Sequence, residues 1–164
     1  MKMTTLIKAM ILSLLIGFST SAEALQRQQY SNWCWAAAIQ DVLLTKGIPQ
    51  SQTQVVHGVY GQVVNQPANL HQIKNYLNYN GVFTGQIASV GTPYELQTIL
   101  ARGAKVIAFV NPSSNPYLGH FVVFEGLDRH GRILVGDPAD GQIRTYNLEE
   151  VYYGWKWSGS LVVP

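Results

Sequence analysis

Cysteine is almost absent from this chain of 164 residues, which contains a single one, Cys34. One cysteine cannot form an intramolecular disulfide or a cysteine pair that binds metal, so a disulfide scaffold and a structural zinc site are both excluded. Charge is also scarce, at 12% of residues, and no long run has one sign, which argues against a nucleic-acid-binding arm or an acidic tail. The 47% of hydrophobic residues is instead typical of one globular domain.

The first residues differ in character from the rest of the chain. Lys2 and Lys8 give a positive start, residues 9–18 are mainly apolar, and Ala22 and Ala24 are the small side chains that a signal peptidase requires. The alternative is an uncleaved membrane anchor, for which the apolar stretch is shorter than the roughly 20 residues that span a bilayer.

We therefore predict a signal peptide over residues 1–24 and one exported domain over residues 25–164, secreted or periplasmic. Exported proteins usually pair their cysteines or lose them. A single unpaired thiol in an oxidising compartment therefore suggests a functional role, and catalysis is one such role.

Helical patterns come first along the exported domain and extended patterns follow. Helices are predicted at residues 33–45, 51–60, 68–79 and 93–102. Strands are predicted at residues 105–110, 120–127, 132–136, 142–146 and 156–163. This order predicts an α+β domain in which the helices pack on an antiparallel sheet.

Cys34 falls in the first turn of the first predicted helix, with Ser31 and Asn32 as candidates for its N-cap. Unpaired backbone N–H groups and the helix dipole favour a thiolate at such a position. The alternative is a small buried residue that packs between Trp33 and Trp35.

Four histidines could serve as a base for this thiol. His57 and His71 lie among polar neighbours on predicted helices, and His130 lies in a turn, so all three read as surface residues. His120 begins a strand that is apolar on both faces, and Gly119 before it would let a backbone or a substrate come close.

The register of the hairpin after His120 selects a carboxylate. A tight turn that pairs Asp128 with Gly131 would make His120 and Asp137 diagonal neighbours on one face of the sheet, within reach of each other. Such a carboxylate would fix the tautomer of the imidazole. The alternative for Asp137, which precedes Pro138, is a residue that only starts a turn.

Gln28 stands before Cys34 with five residues between them, and residues 32–37 read Asn-Trp-Cys-Trp-Ala-Ala. With these residues the chain resembles the papain-like cysteine peptidases, in particular the small bacterial ones with a Cys-Trp-Ala-Ala helix start. Relatives of those enzymes trim double-glycine leader peptides. The resemblance implies a papain-like fold with Cys34 as nucleophile, His120 as base, Asp137 as its orienting residue and Gln28 as an oxyanion donor.

The function predicted from these residues is a secreted cysteine peptidase that forms an acyl-enzyme on Cys34. It requires neither a metal nor an organic cofactor. We expect a monomer that acts on a peptide or protein, without nucleic acid and without a membrane span after signal cleavage. The same residues would also suit hydrolysis of an isopeptide, a cell-wall amide or a glutamine side-chain amide, and a binding module that lost turnover is the other alternative.

The four tryptophans are better explained by packing in the core than by a carbohydrate-binding platform. They are Trp33, Trp35, Trp155 and Trp157.

Overall fold

The structure is a computed structural model that describes residues 25–87, 91–111, 113, 115 and 119–164. The predicted signal peptide lies outside the described residues. The described helices are α1 Cys34–Thr45, α2 Gln52–Tyr60, α3 Leu70–Tyr79, α4 Pro93–Ala101 and α5 Leu148–Gly154. The described strands are β1 Gly85–Ile87, β2 Lys105–Val110, β3 His120–Leu127, β4 Ile133–Asp137, β5 Gln142–Tyr146 and β6 Gly159–Val163.

The four predicted helices form where their start and stop residues indicate. Ser51 and Asn69 each build a capping box, at the starts of α2 and α3, and Thr92 accepts a hydrogen bond from the N–H of Glu95 at the start of α4. Gly61 ends α2 in the left-handed conformation, at φ 70°. Local side-chain chemistry thus sets most of these boundaries to within two residues.

All six strands belong to one antiparallel sheet, in the order β1-β6-β2-β3-β4-β5. This arrangement confirms the predicted α+β class. The sequence pattern missed the three-residue strand β1 and the short helix α5. It also began β6 too early, because Lys156 has a φ of 45°, which is incompatible with an extended strand.

Helices cover the sheet on both faces. On one face α1, α2 and α3 pack against a set of strand residues that includes Ile107, Val123 and Leu161. On the opposite face α4 and α5 pack against residues such as Phe124 and Val135. The central strand β3 is therefore buried on both sides, as its continuous apolar run predicts.

The β3–β4 hairpin reaches the predicted register by a different route. The turn holds one residue more than predicted, because the N–H of Asp128 bonds the carbonyl of Arg132 at 2.8 Å and Gly131 adopts a φ of 75°. The register then shifts by one at a β-bulge between Phe124 and Gly126. The bulge compensates for the longer turn, so the strand ends meet in the alignment that the sequence predicted.

Within the described residues, no helix has both the length and the apolar character that a bilayer span requires.

Candidate active site

Cys34 is the first residue of α1, as predicted, and its side chain is half-buried against the core. The helix behind it is anchored by two buried tryptophans. The indole of Trp33 donates to the carbonyl of Val64 at 2.8 Å, and that of Trp35 donates to Gln66 at 3.0 Å. The sulfur therefore sits on a rigid support and is still accessible.

The predicted N-cap of α1 is wrong. Trp33 takes that position without a side-chain hydrogen bond. Asn32 instead donates its backbone N–H to Oδ1 of Asn65 and its side-chain amide to the Asn65 carbonyl, both at 3.0 Å, and Asn65 donates to Ser31 at 3.0 Å. These polar side chains serve a loop-to-loop contact, so the first N–H groups of the helix have no side-chain cap.

His120 connects the thiol to a carboxylate. Its Nε2 lies 2.6 Å from Oδ1 of Asp137, and the ring is near enough to the Cys34 side chain for that group to raise the pKa of His120. Since Nε2 faces Asp137, Nδ1 is the ring nitrogen left for the sulfur. The structure thus brings together three of the four residues selected from the sequence.

The electrostatics of this cluster favour a charged imidazole. Burial opposes protonation of His120, but the hydrogen bonds to Asp137 and Cys34 and their negative charges outweigh it, raising its pKa from 6.5 to about 9. Burial likewise opposes ionisation of Asp137, yet its hydrogen bonds from His120 and from the Ala139 N–H lower the pKa of this carboxyl. His120 and Asp137 therefore form an ion pair at neutral pH.

Asp137 also starts a turn. Its Oδ1 accepts the N–H of Ala139 at 2.8 Å, and its carbonyl accepts the N–H of Gly141 at 2.8 Å. The two interpretations of this residue are compatible, since the turn fixes the carboxylate that His120 meets.

Gly119 has a different role from the one predicted. A Cβ at this position would lie 1.9 Å from the Phe109 ring, so an aromatic side chain fills the space expected for a backbone or a substrate. Phe109 in turn packs on Phe121, with ring centroids 4.9 Å apart. The absence of a side chain at Gly119 thus allows an aromatic pair to support the start of β3.

Gln28 lies against the turn that follows Asp137, and its side-chain amide bonds two nearby backbone carbonyls. The side-chain nitrogen donates to the carbonyls of Tyr30 and Ser31, each at 2.9 Å. Its backbone N–H donates to the carbonyl of Pro138 at 2.7 Å, which ties the segment before α1 to the turn after Asp137.

The remaining histidines are exposed, as predicted. His57 and His71 lie on the outer sides of α2 and α3, and His130 accepts a hydrogen bond from Arg129 in the hairpin turn.

Trp33 and Trp35 belong to the core, which confirms the packing interpretation for these two. Among the described residues, no group of three or more His, Cys, Asp and Glu side chains could hold a metal ion.

Several solved structures share this fold. The peptidase domain of Streptococcus ComA, a bifunctional ABC transporter involved in quorum sensing, matches with a TM-score of 0.66 at 17% identity, over 86% of this chain and 98% of that domain. A double-glycine-motif protease from an AMS/PCAT transporter, solved with its leader peptide, matches with a TM-score of 0.64 at 20% identity, over 85% and 90% of the two chains. A protein from Bacillus anthracis described as a C39-like peptidase gives 0.64 at 13% identity, over 88% and 96%.

The fold is therefore that of the papain-like cysteine peptidases. The chain belongs to the peptidase C39-like family, whose sequence profile matches residues 22–162. Among curated proteins, none matches the sequence at a significant level.

Proposed function

We propose that this chain is an exported cysteine peptidase that hydrolyses peptide bonds through an acyl-enzyme on Cys34. The observation that supports the proposal is the position of the His120 ring, which bonds the Asp137 carboxylate at 2.6 Å and interacts with the Cys34 side chain closely enough to have its pKa raised by it. A binding module would have no need of a thiol, an imidazole and a carboxylate connected in this order.

In the first half of the reaction, the Cys34 thiolate attacks the scissile carbonyl carbon, and a C–S bond forms as the oxygen takes the negative charge. The C–N bond then breaks, and the departing amine takes the proton of the His120 imidazolium. In the second half, neutral His120 removes a proton from water, whose oxygen attacks the thioester and releases the acid and the thiolate. Asp137 holds the ring in one orientation throughout.

Two donors are proposed for the developing oxyanion. The backbone N–H of Cys34 lies in the first helical turn, where the helix itself offers no acceptor. The second donor is the amide of Gln28, which in the free chain bonds the carbonyls of Tyr30 and Ser31. An N–H that moves from a neutral carbonyl to an oxyanion gains a charge-assisted hydrogen bond, so the exchange favours the transition state.

The substrate class proposed is an extended peptide. A cleft of about 420 Å³ runs along Gln28 and the turn after Asp137, and its lining includes Arg27, Gln28, Tyr30 and Ala139. The AMS/PCAT relative is a double-glycine-motif protease, so peptides with a Gly-Gly pair are the first to assay.

The raised pKa of His120 predicts the alkaline limit of the reaction. Imidazolium is the acid that protonates the leaving amine, and its pKa of about 9 keeps it charged at neutral pH. As the pH rises through about 9 the proton is lost, and acylation should slow. A profile of kcat/KM between pH 6 and pH 10 measures this limit, and a rate that still rises above pH 9 would contradict it.

The central test labels the protein with an irreversible cysteine-protease inhibitor and maps the modified residue. We expect modification at Cys34, and loss of peptide hydrolysis in Cys34→Ala with little change in the free energy of unfolding. Hydrolysis that persists in Cys34→Ala would overturn the proposal. A reactive thiol without peptide cleavage would favour the cell-wall, isopeptide or glutamine amide, and an inert thiol would favour a binding module.

Export is a separate part of the proposal. Cleavage after Ala24 would give a mature protein that starts at Leu25. N-terminal sequencing of protein recovered outside the cytoplasm tests this, and an intact Met1 on that material would contradict it.

A further inference from the structure

Gln52, the first residue of α2, is a polar side chain with no exposed surface. A buried amide is costly unless its hydrogen-bonding groups find partners. Every hydrogen-bonding group of the Gln52 side chain has a partner, and none of these partners belongs to α2 itself.

The partners of Gln52 enclose one residue of the candidate site. Its Oε1 accepts the backbone N–H of Gln29 at 2.9 Å, and its Nε2 donates to the carbonyl of Arg27 at 3.0 Å. Gln52 therefore holds the peptide groups on both sides of Gln28. A third bond, from the Gln28 N–H to Pro138 at 2.7 Å, holds the same residue from the other direction.

The remaining contact of Gln52 leads to the helix of the nucleophile. Its Nε2 also lies 3.1 Å from Oε1 of Gln40 on α1, the helix that begins at Cys34. The backbone of Gln28 is thus fixed relative to both α1 and the turn after Asp137. Gln28 itself is only part-buried near an open cleft, and its neighbours Arg27 and Gln29 are exposed, so none of these three side chains anchors the chain in the core.

We propose that Gln52 is the positioning residue of the oxyanion site: it fixes the backbone of Gln28 so that the Gln28 amide meets the oxyanion formed on attack by Cys34. This inference rests on the proposed function and adds to it a residue that touches neither substrate nor sulfur. Stabilisation of an oxyanion depends on donors preorganised in place, and a shift of about 1 Å costs about 100-fold in rate.

The role predicts a selective defect. Alkylation of Cys34 by iodoacetamide forms no oxyanion, so it should not depend on Gln52. Peptide hydrolysis forms one in each half of the reaction. In Gln52→Leu, which has a similar volume but no hydrogen bonds, we expect kcat to fall about 10- to 100-fold, with a smaller change in KM and an unchanged alkylation rate.

A matched control is available in Gln50, another glutamine just before α2. Its amide donates to Asn80 at 2.8 Å and its carbonyl oxygen accepts from the Tyr76 hydroxyl at 2.6 Å, both away from the site. Gln50→Leu removes the same chemical groups, and we expect it to leave both hydrolysis and alkylation within about twofold of the wild type.

The decisive experiment measures kcat, KM and the alkylation rate for wild type, Gln52→Leu, Gln28→Ala and the double variant. If Gln52 acts through Gln28, the double variant should be no slower than Gln28→Ala alone. Additive losses, equal losses of hydrolysis and alkylation, or full activity of Gln52→Leu would each overturn the inference. If Gln52→Leu does not fold, Gln52→Glu serves instead, because it keeps the acceptor for Gln29 and loses the donor to Arg27.

The two proposals fail in different ways. If the inference alone is wrong, hydrolysis still requires Cys34 but is indifferent to Gln52. If the proposed function is wrong, either the wild type cleaves no peptide or Cys34→Ala cleaves peptides as fast as the wild type, whatever stands at position 52.

Discussion

Two sets of charged side chains join α1 to β3. The reactive set lies where both elements begin and consists of Cys34, His120 and Asp137. The buried ion set lies further along the same elements and consists of Asp41 on α1, Lys105 on β2 and Glu125 on β3. The two sets differ in exposure and in the direction in which the pKa values of their acidic groups move.

In the reactive set the imidazole and its carboxylate partner are both partly open to solvent. The side chains of His120 and Asp137 are 24% and 36% exposed. Their pKa values move apart, that of His120 upwards and that of Asp137 downwards, so the pair stays ionised at neutral pH. Groups that must exchange protons with a substrate are suited to the open end of a sheet.

In the buried ion set one ammonium faces two carboxylates that have little exposed surface. Lys105 bonds Asp41 at 2.7 Å and also contacts Glu125. Burial and the charge of Asp41 raise the pKa of Glu125 from 4.5 to about 7, despite the attraction of Lys105. Oε1 of Glu125 is buried without a hydrogen-bond partner among the described residues. The buried ion set therefore carries a cost in stability, whereas the more exposed set keeps His120 and Asp137 charged at neutral pH.

The largest effect is expected from loss of the base. His120→Ala should lower kcat/KM at least about 1,000-fold, because the variant lacks both the partner of the thiolate and the acid for the leaving amine. Steady-state kinetics on a cleaved peptide give the value. A loss below tenfold, with the fold intact by circular dichroism, would assign the base to another group.

The next effect concerns the buried ion set and should appear in stability. Lys105→Met leaves two buried carboxylates without their cation, which we expect to lower the free energy of unfolding by about 3–5 kcal/mol. Urea unfolding at pH 7.5 measures it. The residual kcat of the folded variant should stay near that of the wild type, and a selective loss of kcat would break the distinction between the two sets.

A smaller effect is expected from Asp137→Asn. The amide oxygen can still accept the His120 N–H, but the negative charge that favours imidazolium is gone, so kcat/KM should fall about 100-fold, less than in His120→Ala. The pKa of His120 should also decrease, which shifts the alkaline limit to lower pH. NMR titration of the His120 ring reports this shift, and an unchanged pKa would show that Asp137 does not hold the charge.

The smallest effect is the pH dependence caused by Glu125. Its folded-state pKa of about 7 lies above its ordinary 4.5, so the folded protein holds an extra proton between these values. Stability should therefore fall by on the order of 2 kcal/mol as the pH rises from 4.5 to above 7. Glu125→Gln cannot ionise and should flatten this part of the curve. Parallel stability curves for the variant and the wild type would count against the assignment.

Part of the candidate site could be predicted from patterns of residues that are close together in the sequence. The position of Cys34 follows from the start of one helix, and the pairing of His120 with Asp137 follows from the register of one hairpin, because both are short-range features. The turn itself was mispredicted by one residue, and the bulge before Gly126 restored the alignment. The alternation of side chains between the two faces of the sheet therefore constrains the alignment of the two strands more strongly than it constrains the length of the turn.

Other parts of the site had no usable signal. Gln52 lies in a polar stretch that resembles an exposed helix start, and nothing in its spacing indicates complete burial. The contacts of Asn65 with Ser31 and Asn32 join loops that are more than 30 residues apart. Similarly, the three residues of β1 are too few to show an alternating pattern of apolar side chains, and β6, the strand that pairs with β1, comes much later in the sequence.

The sequence by itself determined the class of fold, the helix that presents the thiol and the strand pair that joins an imidazole to a carboxylate. Helix caps and the alternation of side chains along a strand depend on residues that are close together in sequence. They can therefore be recognised from the sequence alone. Only the tertiary structure decided that the Pro138 carbonyl accepts the Gln28 N–H, that Gln52 holds the peptide groups on both sides of Gln28, and that Asp41, Lys105 and Glu125 share one buried space. Those contacts arise when distant segments are packed together, and their geometry depends on the whole core.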